Sequence, residues 1–126
     1  MADKKVLIVD DEIHIVHVVA IKLRNNGYEV VSAETGERGV EIAIRERPIF
    51  IVMDINLPGI DGLETIQRIR ESEADGNIPI AALTSYTMEG DRQRIMAAGC
   101  NAYFEKPIDP LTIVEKIEKA LGIRRE

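Results

Sequence analysis

The sequence predicts an α/β fold, a parallel sheet wound by helices on both faces, and two observations carry that prediction. Short apolar runs alternate strictly with longer stretches of helical periodicity, the pattern of repeated βαβ units. The central run, Phe50-Ile51-Val52-Met53, has no polar alternation, so it reads as a strand covered on both faces, and it ends on a carboxylate, Asp54. With 126 residues and 45% apolar content the chain has material for one core, and a single domain over 1–126 is expected.

Lys5-Val6-Leu7-Ile8-Val9-Asp10 is the first strand, and Asp11 follows it directly. A helix is expected from Glu12 to Asn26, with Gly27 taking the left-handed position that ends it. Tyr28 to Ala33 is the second strand. Glu37 to Arg45 is the second helix, which Pro48 stops before the Asp54 strand. Asn56-Leu57-Pro58-Gly59 then turns the chain, and Asp61 with Glu64 marks a helix start whose apolar face is Leu63, Ile66 and Ile69. Asp75-Gly76-Asn77 is a turn, and Ile78 to Leu83 is the fourth strand, running out onto Thr84-Ser85. Gly90 to Ala98 forms a helix that Gly99 terminates, and Ala102 to Glu105 is a short fifth strand meeting Lys106-Pro107. Asp109 caps and Pro110 opens the last helix, with Leu111, Val114, Ile117 and Leu121 as its buried stripe.

Sixteen basic against twenty-two acidic residues give a net charge of −6, which opposes a sequence-independent grip on nucleic acid phosphates. Lys4-Lys5 and Arg124-Arg125 are too short to reverse it. The single cysteine, Cys100, closes no internal disulfide and fits a reducing compartment. No apolar run reaches the ~18 residues of a membrane span, and the start leads into a strand instead of a signal-peptide core. A cytoplasmic protein without membrane or direct nucleic acid contact is expected. The chain ends soon after its last helix with no basic recognition helix, so output is expected through protein contacts.

In a parallel sheet the carboxyl ends of the strands share one edge, which gathers Asp10, Asp11, Asp54, Thr84 and Lys106. Three neighbouring carboxylates repel, so they share protons or recruit a cation. With oxygen donors alone, Mg²⁺ is the natural occupant, and Asn56 can add its backbone carbonyl. Lys106 supplies a point charge and Thr84 a hydroxyl donor for a phosphoryl group, and Asp54, on the central strand, is the favoured nucleophile. Plainer readings exist for each residue: Asp10-Asp11 as a helix cap, Asp54 as a turn-former, Thr84-Ser85 as a cap, Lys106 as a surface lysine. Each can stand alone, but all of them holding together at matching strand ends is improbable. His14 and His17 lack a carboxylate partner on their helix face and read as surface or partner-facing residues. Cys100 reads as a small buried apolar residue, and Arg68, Arg70 and Glu71 as a solvated helix face.

These residues together resemble the receiver domain of two-component response regulators, of the stand-alone chemotaxis-regulator type. The matching pieces are Val9-Asp10-Asp11-Glu12, the stretch from Met53 to Gly62, Leu83-Thr84-Ser85, and Tyr103-Phe104-Glu105-Lys106-Pro107. The resemblance implies a flavodoxin-like sheet in strand order 2-1-3-4-5, with Asp54 accepting phosphate from a sensor histidine kinase or a histidine phosphotransfer protein. It implies Mg²⁺ held by Asp11, Asp54, the Asn56 carbonyl and, through water, Asp10, with Mn²⁺ as a substitute. Thr84 and Lys106 would contact the phosphoryl group, and Thr84 and Tyr103 would move as switch residues that alter the face presented to a downstream effector protein. The Lys106-Pro107 bond resembles one that is cis in the family. Asn56 and Tyr86 match positions flanking the path of attacking water, which tune phosphoryl lifetime. The assembly implied is a monomer or a weak phosphorylation-dependent dimer.

On this reading the chain is a phosphoacceptor switch that catalyses its own phosphorylation and dephosphorylation, and not an enzyme acting on free substrates. The alternative is a small aspartyl-phosphate phosphatase or phosphotransferase, whose general acid would stand two residues past the nucleophile; here that residue is Asn56, which donates no such proton. A dinucleotide-binding domain would need a Gly-rich turn where Asp10-Asp11-Glu12 stands.

Overall fold

The computed structural model describes residues 4–57, 59–72, 77–85 and 89–123. The expectations placed on Pro58, Asp75-Gly76, Tyr86 and Arg124-Arg125 lie outside them. Five strands, β1 (Lys5–Val9), β2 (Glu29–Ala33), β3 (Phe50–Asp54), β4 (Ile80–Thr84) and β5 (Ala102–Glu105), alternate with five helices. These are α1 (Ile13–Asn25), α2 (Gly36–Glu46), α3 (Gly62–Ser72), α4 (Glu89–Ala97) and α5 (Ile113–Leu121). The strands pair in parallel throughout, in the order β2-β1-β3-β4-β5.

Successive side chains of a strand point to opposite faces, and here each face has its own apolar layer. Leu7, Val9, Ile51 and Met53 pack with Ile42 of α2, Ile66 and Ile69 of α3 and Ile95 of α4. Val6, Ile8, Phe50 and Val52 pack with Val19 and Leu23 of α1 and Ile113 and Ile117 of α5. Every residue of β3 and β4 is buried, which is why their runs show no alternation. Burying one such side chain contributes roughly 1.5–3 kcal/mol. A one-residue slip would send each to the wrong layer, so the register is fixed by packing. That register sets the height at which each strand-end residue emerges.

Several element ends differ from the expectation, each for a local reason. The last helix does not open at Pro110. Asp109 does accept the Leu111 N–H through its carboxylate, but its carbonyl also takes the N–H groups of Thr112 and Ile113, so a turn precedes the helix. Leu111 is therefore 78% exposed and outside the buried stripe. In its place stands the buried Glu118, whose carboxylate accepts the Tyr28 hydroxyl at 2.6 Å. The fourth strand begins at Ile80, not Ile78; the Asn101 side chain accepts the Ile80 N–H, while the Pro79 carbonyl accepts from Ile51. α2 is capped by Thr35, whose hydroxyl accepts the Arg38 N–H, and ends on Arg47 in the left-handed region, one residue before Pro48. Gly27 and Gly99 end their helices at φ 91° and 116°, where a side chain would be strained.

Arg70 is not part of a solvated face. Its guanidinium donates to the Gly99 carbonyl and to Asn101 Oδ1, tying α3 to the turn after α4, whereas Arg68 makes an exposed pair with Glu64.

Gly62 lets α3 start directly against the end of β3. Its N–H donates to the Ile55 carbonyl at 3.0 Å, and a Cβ there would run into the backbone of Asp54 and Ile55. Gly62→Ala is expected to lower stability by about 1–3 kcal/mol, the usual range for overpacking. Gly90→Ala, in α4 with open space around it, is expected to be neutral or stabilising by up to about 1 kcal/mol. Urea unfolding midpoints of the two variants check the contrast.

Candidate functional site

β1 and β3 are neighbours, and the register that pairs Val9 with Met53 brings the next residues, Asp10 and Asp54, out side by side. Both are buried, at 1% and 0% exposure. Asp11, next in the chain, is exposed, and one carboxylate oxygen from each of the three lies within 4.8 Å of the others. Asp54 pairs in register with Leu83, so Thr84, fully buried, stands one residue further along the adjacent strand. β5 ends at Glu105, and the Lys106 N–H donates to the Thr84 carbonyl at 2.8 Å. The Lys106-Pro107 peptide bond is cis.

From there the Lys106 ammonium reaches back across the edge, donating to Asp54 Oδ1 at 3.1 Å and to Glu12 Oε1 at 3.0 Å, with Asp10 Oδ2 3.9 Å away. Burial alone would make the ammonium easier to deprotonate. The hydrogen bonds to Glu12 and Asp54 and the charges of Asp10 and Asp54 outweigh that and hold it above the usual lysine value. Lys106 therefore stays cationic.

Asp54 Oδ1 also accepts the Asn56 N–H at 3.0 Å, and Asp10 Oδ1 accepts the Glu12 N–H at 2.9 Å. The second oxygens, Asp10 Oδ2 and Asp54 Oδ2, are buried and have no hydrogen-bond partner among the described residues. Buried anionic oxygens are costly unless compensated. Two of them beside an exposed third carboxylate form an all-oxygen set that fits a hard divalent ion such as Mg²⁺. The same crowding acts on protons: burial, then the charge of Asp54, pushes Asp10 up to about 7, against the opposing pull of the Glu12 N–H and Lys106.

The remaining residues sit around this centre. The Asn56 side-chain oxygen accepts from the N–H and hydroxyl of Ser85, at 3.3 and 3.2 Å, so the loop after β3 is tied to the end of β4. Tyr103 is half-buried on β5, beside Ala82 in register, and the Arg92 guanidinium of α4 lies 5.6 Å from its ring centroid. His14 and His17 are exposed on α1, away from any carboxylate grouping of metal-binding geometry among the described residues. Cys100 is buried and its thiol is pushed up by burial, which makes it a poor nucleophile. Two participants escaped the sequence reading. Glu12 stands in the sequence as a helix start and as part of the Val9-Asp10-Asp11-Glu12 stretch, with no role of its own, and Ser85 only as the residue following Thr84.

The raised Asp10 pKa makes stability depend on pH in a stated direction. An unfolded aspartic acid titrates near 3.9, so between that value and about 7 the folded state holds a proton the unfolded chain has lost. The contribution is complete below the unfolded value and is lost as pH rises through about 7. In EDTA, the protein is expected to lose on the order of 2 kcal/mol between pH 5.5 and 8 from this group. Asp10→Asn should flatten that slope and raise stability at pH 8, as read by urea midpoints at both pH values.

Comparison with known proteins agrees with this geometry. The response regulator receiver domain family matches residues 6–118. The polar-differentiation response regulator DivK of Brucella anthropi is 34% identical over 119 residues, covering 94% of this chain and 97% of that protein. The chemotaxis protein CheY4 of Vibrio cholerae superposes with a TM-score of 0.87 at 32% identity, covering 94% of this chain and 99% of that one. The receiver domain of the sensor histidine kinase PA1611 from Pseudomonas aeruginosa, solved with a magnesium ion in its active site cleft, gives a TM-score of 0.84 at 32% identity, covering 95% of this chain and 98% of that one. With its five-stranded flavodoxin-like sheet and its carboxylates at the strand ends, the chain belongs to the response regulator receiver domain family, the phosphoryl-accepting switches of two-component signalling.

Proposed function

We propose that Asp54 is the residue that accepts the phosphoryl group, in a Mg²⁺-dependent reaction, and that residues 1–126 act as one receiver domain. The observation that carries this is the state of its carboxylate. Oδ1 is held by Lys106 and by the Asn56 N–H, while Oδ2 is buried beside two further carboxylates, with no hydrogen-bond partner among the described residues. Asp11, Asp54, the Asn56 carbonyl and, through water, Asp10 would hold the ion, and Mn²⁺ would substitute for it. The metal, when bound, screens these carboxylates from one another and from the incoming phosphoryl oxygens. Lys106, kept cationic, places its ammonium against the same oxygens, and the Thr84 hydroxyl donates a further hydrogen bond. The protein thus orients and neutralises, and the reactivity comes from the donor.

The donor is a phosphohistidine on a sensor histidine kinase or a histidine phosphotransfer protein, and the readout is a downstream effector protein. One added phosphoryl charge shifts Thr84, and Tyr103 turns inward in response. The surface formed by α4, β5 and α5 changes with them. The output is carried by protein contacts in the cytoplasm, without direct nucleic acid or membrane contact, by a monomer or a weak phosphorylation-dependent dimer. No helix of the described residues is long and apolar enough to cross a membrane. The chain promotes its own phosphorylation and dephosphorylation and is a phosphoacceptor switch, not a phosphatase or phosphotransferase of other molecules. Asn56 stands where a phosphatase or phosphotransferase of the aspartyl-phosphate type would need its general acid.

Incubation with acetyl phosphate or phosphoramidate is expected to add the mass of one phosphoryl group only when Mg²⁺ is present, and Asp54→Asn should show none. Labelling that survives Asp54→Asn, or that is indifferent to EDTA, would overturn the assignment. Tyr86, bulky and two residues past Thr84, is assigned to restricting in-line water, so Tyr86→Ala should shorten the lifetime of the label after the donor is removed.

A further inference from the structure

Lys106 is the only cation within ion-pairing distance of Asp54 among the described residues, and it is shared. Its ammonium lies 3.0 Å from Glu12 Oε1 and 3.1 Å from Asp54 Oδ1, so both carboxylates sit on one nitrogen. Glu12 stands at the N-terminal cap of α1, yet its side chain makes no capping hydrogen bond. Its backbone is pinned instead, through the N–H that donates to Asp10 Oδ1 at 2.9 Å. Its side chain is 57% exposed, whereas that of Lys106 is 11% exposed and Asp54 is fully buried. Glu12 is therefore the solvent-exposed carboxylate, and Asp54 the buried one, on a single ammonium. A phosphodonor that approaches Asp54 past Lys106 meets the Glu12 carboxylate.

We propose that Glu12 is a specificity-determining residue for phosphodonor charge, disfavouring acyl phosphates relative to nitrogen-linked phosphoryl donors. The proposal rests on Asp54 being the acceptor. With either donor, an Asp54 oxygen forms the new O–P bond. From acetyl phosphate the P–O bond to the acetyl group breaks and acetate leaves with the electron pair. From phosphoramidate the P–N bond breaks and the nitrogen, already protonated, leaves with the pair as ammonia. Near neutral pH acetyl phosphate arrives as a dianion, whereas phosphoramidate carries a protonated nitrogen and arrives as a monoanion. A carboxylate a few ångströms from the phosphoryl position repels the first more than the second. It also withholds part of the Lys106 charge that would compensate the difference. A phosphorylated imidazole, also nitrogen-linked, belongs with the less repelled class.

The test is the ratio of Asp54 labelling rates with acetyl phosphate and with phosphoramidate, at saturating Mg²⁺ and low ionic strength, read by mass spectrometry. Glu12→Gln is expected to raise the acetyl phosphate rate roughly three- to tenfold and to raise the ratio of the two rates by at least about threefold. The gain in ratio should shrink at about 0.5 M salt, where charges are screened within a few ångströms. Glu12→Asp, which keeps the charge on a shorter side chain, should stay near the wild-type ratio. Glu115→Gln, removing an exposed acid on α5, should leave it unchanged. An unchanged ratio in Glu12→Gln overturns the proposal. So does an equal rise for both donors, which would make Glu12 a mere competitor for Lys106, or an equal fall, which would make it an orienting partner. If the wild type labels with neither donor, the assignment of Asp54 as acceptor fails first, so the two failures are distinguishable.

Discussion

The structure depends on one electrostatic constraint: like charges forced together at the end of a sheet that cannot yield. Asp10 and Asp54 emerge side by side because Val9 and Met53 pair in register, and that pairing is locked by two apolar layers that a slip would scramble. Neither carboxylate can retreat to water, because both are buried. The repulsion must be relieved by something brought in: a proton on Asp10, the ammonium of Lys106, or a divalent ion. The structure holds the second, inclines toward the first, and leaves two buried oxygens suited to the third.

This explains the division of labour within the chain. β3 and β4 are wholly buried and contribute stability, while their last residues, Asp54 and Thr84, stand at the candidate site. The loops that follow are tied by side chains more than by packing. Asn56 is bonded to Ser85, and Lys106 spans from β5 to Asp54 and Glu12. Local free energy spent on holding charges apart is tolerable because the core below contributes its stabilisation independently of them.

How much of this was legible in the sequence follows from which forces act locally. The strands were readable because burial on both faces demands unbroken apolar runs, and the gathering of Asp10, Asp11, Asp54, Thr84 and Lys106 at one edge follows from parallel topology alone. The ends of elements were less readable, since they are decided by single side chains from elsewhere. Asn101 starts β4 by capping Ile80, and Asp109 delays α5, exposing Leu111. Arg70 looked like a surface residue because its partners, Gly99 and Asn101, are remote in sequence. Glu118 sits where periodicity leaves room for an apolar residue, and only the fold reveals that Tyr28 satisfies it. Glu12 was hidden for the opposite reason: its immediate neighbours explained it too easily as a helix start.

The same contacts define how a change at Asp54 can be felt elsewhere. Lys106 is the hub, because its side chain contacts Asp54 while its N–H donates to the Thr84 carbonyl, joining the ends of β4 and β5. Three residues before it, on β5, Tyr103 lies beneath Arg92, so β5 also reaches α4. Among the described residues of α4 whose side chains are placed, only Ile95 lies in the buried core, with Ala98 just past the helix end. A helix held by so few apolar contacts is inexpensive to displace, whereas α2 and α3 are clamped to each other and to the sheet by Ile42, Ala43, Ile66 and Ile69. Asp54 is tied to Lys106, and among the described residues α4 is the helix with the fewest buried side chains. The packing of the helices around the sheet is therefore unequal, with α4 the one least anchored by the core.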